Sequence, residues 1–290
     1  MKQKEFLLAI HLTKGIGLAR ESFIIKAISE GRAPVVYPWT LTELALIIRF
    51  DRSQKGFSTI AASYQQALQQ VATFDGAYLS FFDSEYPQLL REIYQPPLIL
   101  FYQGDLRALR LPLLAVVGTR TATSYGQEVI RSLLPEVVQH GVGIVSGLAK
   151  GIDVMAHQTT FSAGGVPIAV IGTGLDVFYP LKNRKLQRLV GEQGLLLSEY
   201  PPGSGPQRGH FPERNRIIAG LCQATLVVEA KKRSGSLITA NLALQENRSV
   251  LAIPGSIFSI ESAGTNELIA AGAQAITGLE GLLTEGLFDL

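Results

Sequence analysis

A doubly wound, mostly parallel α/β sheet preceded by a small all-helical domain is the fold class this sequence predicts. Three observations predict it. Short unbroken apolar runs recur from residue 113 onward, segments with helical spacing separate them, and no strand-like run precedes Tyr78. Strands buried on both faces read as continuous apolar runs, and parallel strands need a helical crossover between them. A chain of 290 residues that is 47% hydrophobic and 17% charged has ample material for two cores, which excludes global disorder.

Residues 1–75 form the helical domain. Phe6, Leu7, Ile10 and Leu12, then Phe23, Ile24, Ala27 and Ile28, then Leu44, Ile47 and Ile48 recur three and four apart. Thr40 or Thr42 caps one helix and Ser58 the next. Trp39, beside Pro38, packs in this domain. Gly15-Ile16-Gly17 leaves two readings open: a helix–hairpin–helix turn offering N–H groups to a phosphate, or a tight turn that needs glycine. Residues 76–290 form the α/β domain. Its lead-in, 76–110, holds the turn signals Tyr86-Pro87 and Gln95-Pro96-Pro97 and the apolar run Leu98–Tyr102. Strands are predicted over Leu113–Val117, Gly143–Val145, Pro167–Ile171, Leu195–Leu197, Ala224–Val228 and Val250–Ile253. Helices are predicted over Gly126–Gln139, Gly151–Ala163, Asn183–Gly191, Asn215–Leu221 and Ser236–Glu246.

Composition narrows the function. One cysteine, Cys222, excludes a disulfide framework and a cysteine-based zinc cluster and suits a reducing compartment. No apolar run is long enough to cross a membrane, and the first residues do not resemble a secretory signal, so the cytoplasm is the expected location. The net charge is only +2, but Lys182–Arg233 holds ten basic residues against four acidic ones, and residues 249–290 hold five acidic residues and no basic one. Such asymmetry suits a polyanion binder, or a solvated basic face. Leu279, Leu282, Leu283, Leu287 and Phe288 in the acidic stretch suit either an interaction surface or packing of the last helix.

In doubly wound sheets ligands sit beyond the carboxyl ends of the strands. There the sequence places Gly118-Thr119-Arg120, then Ser146-Gly147-Leu148-Ala149-Lys150, Gly172-Thr173-Gly174, Ser198-Glu199, Glu229 and the run Lys231–Ser236. Glycine, hydroxyl and cation recurring along one edge is the chemistry that cradles anions. Other chemistries lack their residues. The dipeptide Gly-Lys is absent, which excludes a Walker-type phosphate loop. Gly172-Thr173-Gly174 lacks the third glycine of a dinucleotide fingerprint because residue 177 is Val177. No G-x-S-x-G occurs. His11, His140, His157 and His210 share no metal-ligand spacing. His157 reads as a structural hydrogen-bonder and Cys222 as core.

These segments, in order, resemble one family. Gly118-Thr119-Arg120 with Tyr125-Gly126, Ser146–Asp153 with Ala156-His157, Ser198–Pro202, Phe211-Pro212 with Arg214–Gly220, Ser234–Ala240, and Pro254-Gly255 with Gly264-Thr265-Asn266 are similar to the motifs of the DNA-processing protein DprA (Smf) family, from about Tyr86 to Ile276. The resemblance implies an extended Rossmann-like fold after a helical SAM/HhH-like domain. It implies single-stranded DNA binding in natural transformation, homodimer formation, protection of incoming DNA and loading of RecA onto it, with no catalysed reaction, cofactor, metal or membrane partner. The implied anion pocket falls on Arg120, Ser146, Gly147, Ser234, Gly235 and Ser236. The implied basic surface falls on Lys182, Lys185 and Arg214–Arg216. Thr119 stands where the family has Ser. Lys150 stands where it has Arg, keeping the charge without the planar fork. A C-terminal winged-helix domain, common in the family, is not expected here.

On this reading Arg120 forks a phosphate, the serines add donors around it, and Lys182, Lys185, Arg188 and Arg214 extend a positive track. Tyr179 or Phe211 stacks a base, or both pack beside Pro180 and Pro212. Arg216 either contacts the strand or pairs with Glu199 or Glu229, and Asp153 and Asn215 fix loops. Two rival functions are a nucleotide phosphoribohydrolase of the lysine-decarboxylase-like type and a mononucleotide-sensing regulator. The first needs a P-G-G-x-G-T loop, whereas Pro254-Gly255 is followed here by Ser256-Ile257.

Overall fold

The computed structural model describes residues 1–54, 56–283 and 288. The chain forms two compact units: residues 1–86 with 94–101, and residues 87–93 with 102–290. Among the described residues no helix is long and apolar enough to cross a membrane.

The first unit holds α1 (Gln3–Leu12), α2 (Leu18–Ser29), α3 (Leu41–Ile47) and α4 (Phe57–Val71). Residues Ile60, Tyr64, Ala67 and Val71 place one face of α4 in the core at helical spacing. Thr40 caps α3 in a reciprocal box with Glu43. Ser58 does not cap α4, because the helix starts at Phe57 behind Gly56, whose φ of +110° favours glycine. Trp39 is buried as expected, 4.6 Å from the Phe6 ring, with its indole N–H donating to the Pro34 carbonyl at 3.0 Å. Gly15 has φ +92°, so the turn between α1 and α2 does require glycine. An antiparallel pair completes the unit, with β1 (Tyr78–Ser80) against the start of β2 (Ile99–Gly104) in the register Leu79↔Leu100.

The second unit opens with the short α5 (Gln88–Arg91) and builds a parallel sheet. Its elements follow as β3 (Leu113–Val117), α6 (Ser124–Gln139), β4 (Gly143–Ser146), α7 (Ile152–Ser162), β5 (Pro167–Ile171), α8 (Arg184–Gln193) and β6 (Leu195–Ser198). After these come α9 (His210–Leu221), β7 (Ala224–Val227), α10 (Gly235–Gln245), β8 (Ser249–Ala252), α11 (Ala263–Ala270) and β9 (Gln274–Ala275). The spatial order is β6-β5-β4-β3-β7-β8-β9, with Leu113 beside Gly143 and Leu114 beside Ala224. The doubly wound, Rossmann-like class is therefore present.

Helix α9 begins five residues before the predicted start. Pro212 lies in its first turn, where a missing N–H is not missed. Strands β3, β4, β7 and β8 bury Leu114, Val116, Ile144, Leu226 and Leu251 against Ile130, Leu134 and Val137 of α6 and Ile152 of α7. Leu282 and Phe288 join this core, so they pack rather than form an interaction surface; Leu287 lies outside the described residues. Cys222 is fully buried, and burial pushes its thiol well up from the usual range.

Candidate nucleic-acid interface

The chain winds one way from β3 to β4 and the other way from β7 to β8. Their loops part at the carboxyl edge, and the parting is where a doubly wound sheet leaves a crevice. A cleft of about 480 Å³ occupies this position. Its lining includes four cations, Arg120, Arg208, Arg214 and Lys231, and one carboxylate, Asp153, so its field favours an anion.

The rim facing solvent is built from the ends of β3 and β7. Gly118 lets β3 run close under α7, since a Cβ there would lie 2.6 Å from Ile152 Cγ1. Gly151 has φ +78° and passes so near the Thr119 carbonyl that a Cβ would stand 2.3 Å from it. These approaches fix the segment carrying Arg120, whose side chain is exposed and has no ion-pair partner among the described residues. On the other side Ser234 precedes the first turn of α10, and its hydroxyl lies 2.8 Å from that of Ser236 rather than capping a backbone N–H. The first N–H groups of α10 and two hydroxyls thus border the space that Arg120 also borders. The rim unites Arg120, Ser234, Gly235 and Ser236, as the sequence reading expected.

The floor departs from that reading. Ser146 is fully buried and its hydroxyl donates to the Val116 carbonyl at 2.7 Å, so it ties β4 to β3 and does not line the cleft. Gly147 is also turned to internal use: its N–H donates to Asp153 Oδ2 at 3.2 Å and its carbonyl accepts from Arg214 Nη1 at 2.6 Å. Arg214 is not an open track residue. Its guanidinium is buried, donates also to the Val170 carbonyl and, through Nε, to Asn215 Oδ1 at 3.1 Å. Burial, with the nearby Arg120 charge, brings its pKa down to about 10, while Asp153 acts in the other direction. Asp153 holds the Gly147 and Ala149 N–H groups, and its own pKa is raised because burial outweighs the Arg214 charge. Asp153 therefore fixes the loop after β4, whereas Asn215 accepts from Arg214 and lines the cleft.

Two further carboxylates are structural. Arg216 Nη2 donates to both oxygens of Glu199 at 2.5 and 2.6 Å, which settles the pairing in favour of Glu199 over Glu229. Glu229 instead accepts from the Thr123 N–H at 3.0 Å and its hydroxyl at 2.5 Å at the start of α6. His157 is fully buried, and burial, aided by the Arg214 charge, lowers its pKa to about 3, so it is neutral at ordinary pH.

Around the mouth, Tyr179 is exposed with its ring 5.4 Å from that of Phe211, and both line the cleft. Asn183 Nδ2 donates to the Leu148 carbonyl at 2.8 Å, which brings the start of α8 beside the loop after β4. Lys150, Lys182 and Lys185 are exposed there, outside the cleft wall and without ion pairs among the described residues. Arg184 and Arg188 lie over the Phe178 ring at 5.0 and 5.3 Å. The sequence reading placed Lys231 in the run at the strand ends but did not single out Arg208; both line the cleft. Lys231 was legible as the first cation past β7, four residues beyond Val227. Arg208 stands in a Gly- and Pro-rich loop with no periodic signal.

Comparison with known proteins agrees with this architecture. The family model of DNA recombination-mediator protein A matches residues 77–286. The chain is 50% identical over 206 residues to the DNA processing protein DprA of Streptococcus pneumoniae, covering 71% of this chain and 73% of that one. It is 45% identical over 202 residues to the DprA of Bacillus subtilis, covering 69% and 68%. The solved structure of S. pneumoniae DprA superposes with a TM-score of 0.89 at 38% identity, covering all of both chains. The DprA of Helicobacter pylori, whose structure is described as revealing a single-stranded DNA binding mode, superposes with a TM-score of 0.66 at 31% identity, covering 73% of this chain and 95% of that one. The chain belongs to the DNA recombination-mediator protein A (DprA, Smf) family.

Proposed function

We propose that this protein binds single-stranded DNA with its backbone seated in the cleft between the ends of β3 and β7. Acting as a homodimer, it protects incoming strands in natural transformation and loads RecA onto them, by binding and without turnover. The observation that carries the reading is the exposed Arg120, without an ion pair among the described residues, bordering one cleft of cationic lining with the first turn of α10. A phosphodiester meets there a guanidinium fork, helix N–H groups and two hydroxyls. Tyr179 and Phe211 at the mouth add ring faces on which unpaired bases stack regardless of sequence, a contact a closed duplex does not offer. The membership in a recombination-mediator family and the description of the H. pylori relative support the same assignment.

The test is fluorescence anisotropy of labelled oligo-dT and of a duplex of equal length, with nucleoside monophosphates as competitors and product analysis of the mixtures. The expected result is preference for the single strand, weak competition by monophosphates and no product. Preferential, saturable monophosphate binding would transfer the cleft to a nucleotide sensor, and released base or ribose phosphate would transfer it to a phosphoribohydrolase. RecA filament formation on the bound strand, followed by light scattering, tests the loading step.

A further inference from the structure

Beyond β8 the chain projects a loop whose tip is apolar. Phe258 is 91% exposed, the most exposed large apolar side chain among the described residues, and Ile257 and Ile260 beside it are 83% and 73% exposed. Single exposed apolar residues are ordinary, but three on one short loop mark a contact surface. The loop is held at both ends. The Tyr125 hydroxyl donates to the Pro254 carbonyl at 2.6 Å, and the Asn266 side-chain amide bonds both the N–H and the carbonyl of Gly255, at 3.2 and 3.0 Å. The Phe258 N–H donates to Ser256 Oγ at 3.2 Å, and the Ala230 N–H donates to the Glu261 carbonyl at 2.6 Å. A tip presented on a tied loop loses little conformational freedom when something covers it.

Its position identifies the occupant. The Glu261 carboxylate, at the foot of the tip, accepts from Thr121 Oγ1 at 3.2 Å and pairs with Lys231 Nζ at 3.1 Å. Thr121 follows Arg120, and Lys231 itself lines the cleft that Ser234 and Ser236 border, so the tip stands beside the cleft mouth. Arg233, two residues past Lys231 in the loop after β7, is exposed and without an ion pair among the described residues. An exposed apolar ring on a loop tied to a cleft of cationic lining suits a ligand with an anionic backbone and flat apolar faces, which is the chemistry of an unpaired nucleic-acid strand.

We propose that Phe258, flanked by Ile257 and Ile260, is a stacking platform for bases of the single strand where it leaves the cleft. This rests on the cleft being the phosphate seat, and it extends the strand's path across the loop after β8.

The test uses Phe258→Trp and Phe258→Ala in the full chain. Trp39 is the sole native tryptophan and is buried, so the wild type serves as the blank. Strands of oligo-dT of about six and about twenty nucleotides lie near the lower end and beyond the upper end of the single-site range. The longer strand is expected to quench Phe258→Trp fluorescence at saturation while the wild type stays level. Phe258→Ala is expected to bind the longer strand at least about fivefold more weakly and the shorter one nearly normally. Saturable binding of the longer strand without quenching and without loss in Phe258→Ala overturns the platform alone. Undiminished strand binding by Arg120→Ala overturns the phosphate seat, and the platform with it. A halved mass of Phe258→Ala in light scattering, with strand affinity unchanged, gives the patch to a second copy of the chain and also overturns the proposal.

Discussion

The carboxyl ends of β3 and β4 carry the same kinds of residue, Gly118-Thr119-Arg120 at one and Ser146-Gly147 with Lys150 at the other; both cations are exposed, but the fold uses the glycine and hydroxyl of the second end internally. The first borders the crevice at the turning point of the sheet and leaves Arg120 open to solvent. The second lies one strand further in, where Ser146, Gly147, Asp153 and Arg214 bond one another and the neighbouring strands. Glycine and hydroxyl at a strand end thus describe both a binding rim and the buried brace beneath it, whose cation comes from α9. Position relative to the turning point of the sheet separates the two.

Breaking the brace is expected to give the largest effect. Arg214→Ala leaves the Gly147 and Val170 carbonyls without their donor and the buried Asp153 carboxylate without its nearest cation. Urea unfolding should show a loss of about 3–5 kcal/mol, typical of removing one partner from a buried charged network. A loss below about 1 kcal/mol would instead class Arg214 with the rim.

The buried surroundings of the brace should also announce themselves through pH: His157 feels the Arg214 charge but, contrary to the sequence reading, neither of its ring nitrogens has a hydrogen-bond partner among the described residues. His157 is neutral in the folded chain down to about pH 3, whereas an unfolded histidine takes its proton near pH 6.5. Between those values the unfolded chain binds a proton that the folded chain refuses, so stability falls as pH falls and is fully retained above pH 6.5. At pH 5 this contributes about 2 kcal/mol of destabilisation relative to pH 7, which His157→Leu should abolish. Identical pH dependence of unfolding in the two proteins would show that His157 titrates normally.

Much of this was legible before the structure. The apolar runs marked β3 and β5 to the residue, and their ends located the rim that holds Arg120 and Ser234–Ser236. The misreadings concern burial. Arg214 looked like surface because it is charged, yet Arg214, Ile217, Ile218 and Leu221 recur at helical spacing, which places the guanidinium on the buried face of α9. Ser146 looked like a ligand donor because it ends an apolar run, but it is still the last residue of β4, enclosed by the strands on either side. The exposed Phe258 had no signal at all, since an apolar residue in a loop reads the same whether it packs or projects.

A smaller effect sharpens the contrast further. Ser146→Ala removes one buried hydrogen bond and should lower stability by about 1 kcal/mol while leaving oligo-dT affinity unchanged. Weakened strand binding at unchanged stability would return Ser146 to the rim.

The most direct measurement is the salt dependence of oligo-dT binding for the wild type and Arg120→Ala, with urea unfolding in parallel. Neutralising one fewer phosphate should reduce the slope of log K against log salt by about 0.7. Affinity at low salt should fall about tenfold or more, with the unfolding midpoint unmoved. An unchanged slope, or an Arg120→Ala protein that unfolds earlier, would contradict the assignment of Arg120 to a phosphate seat.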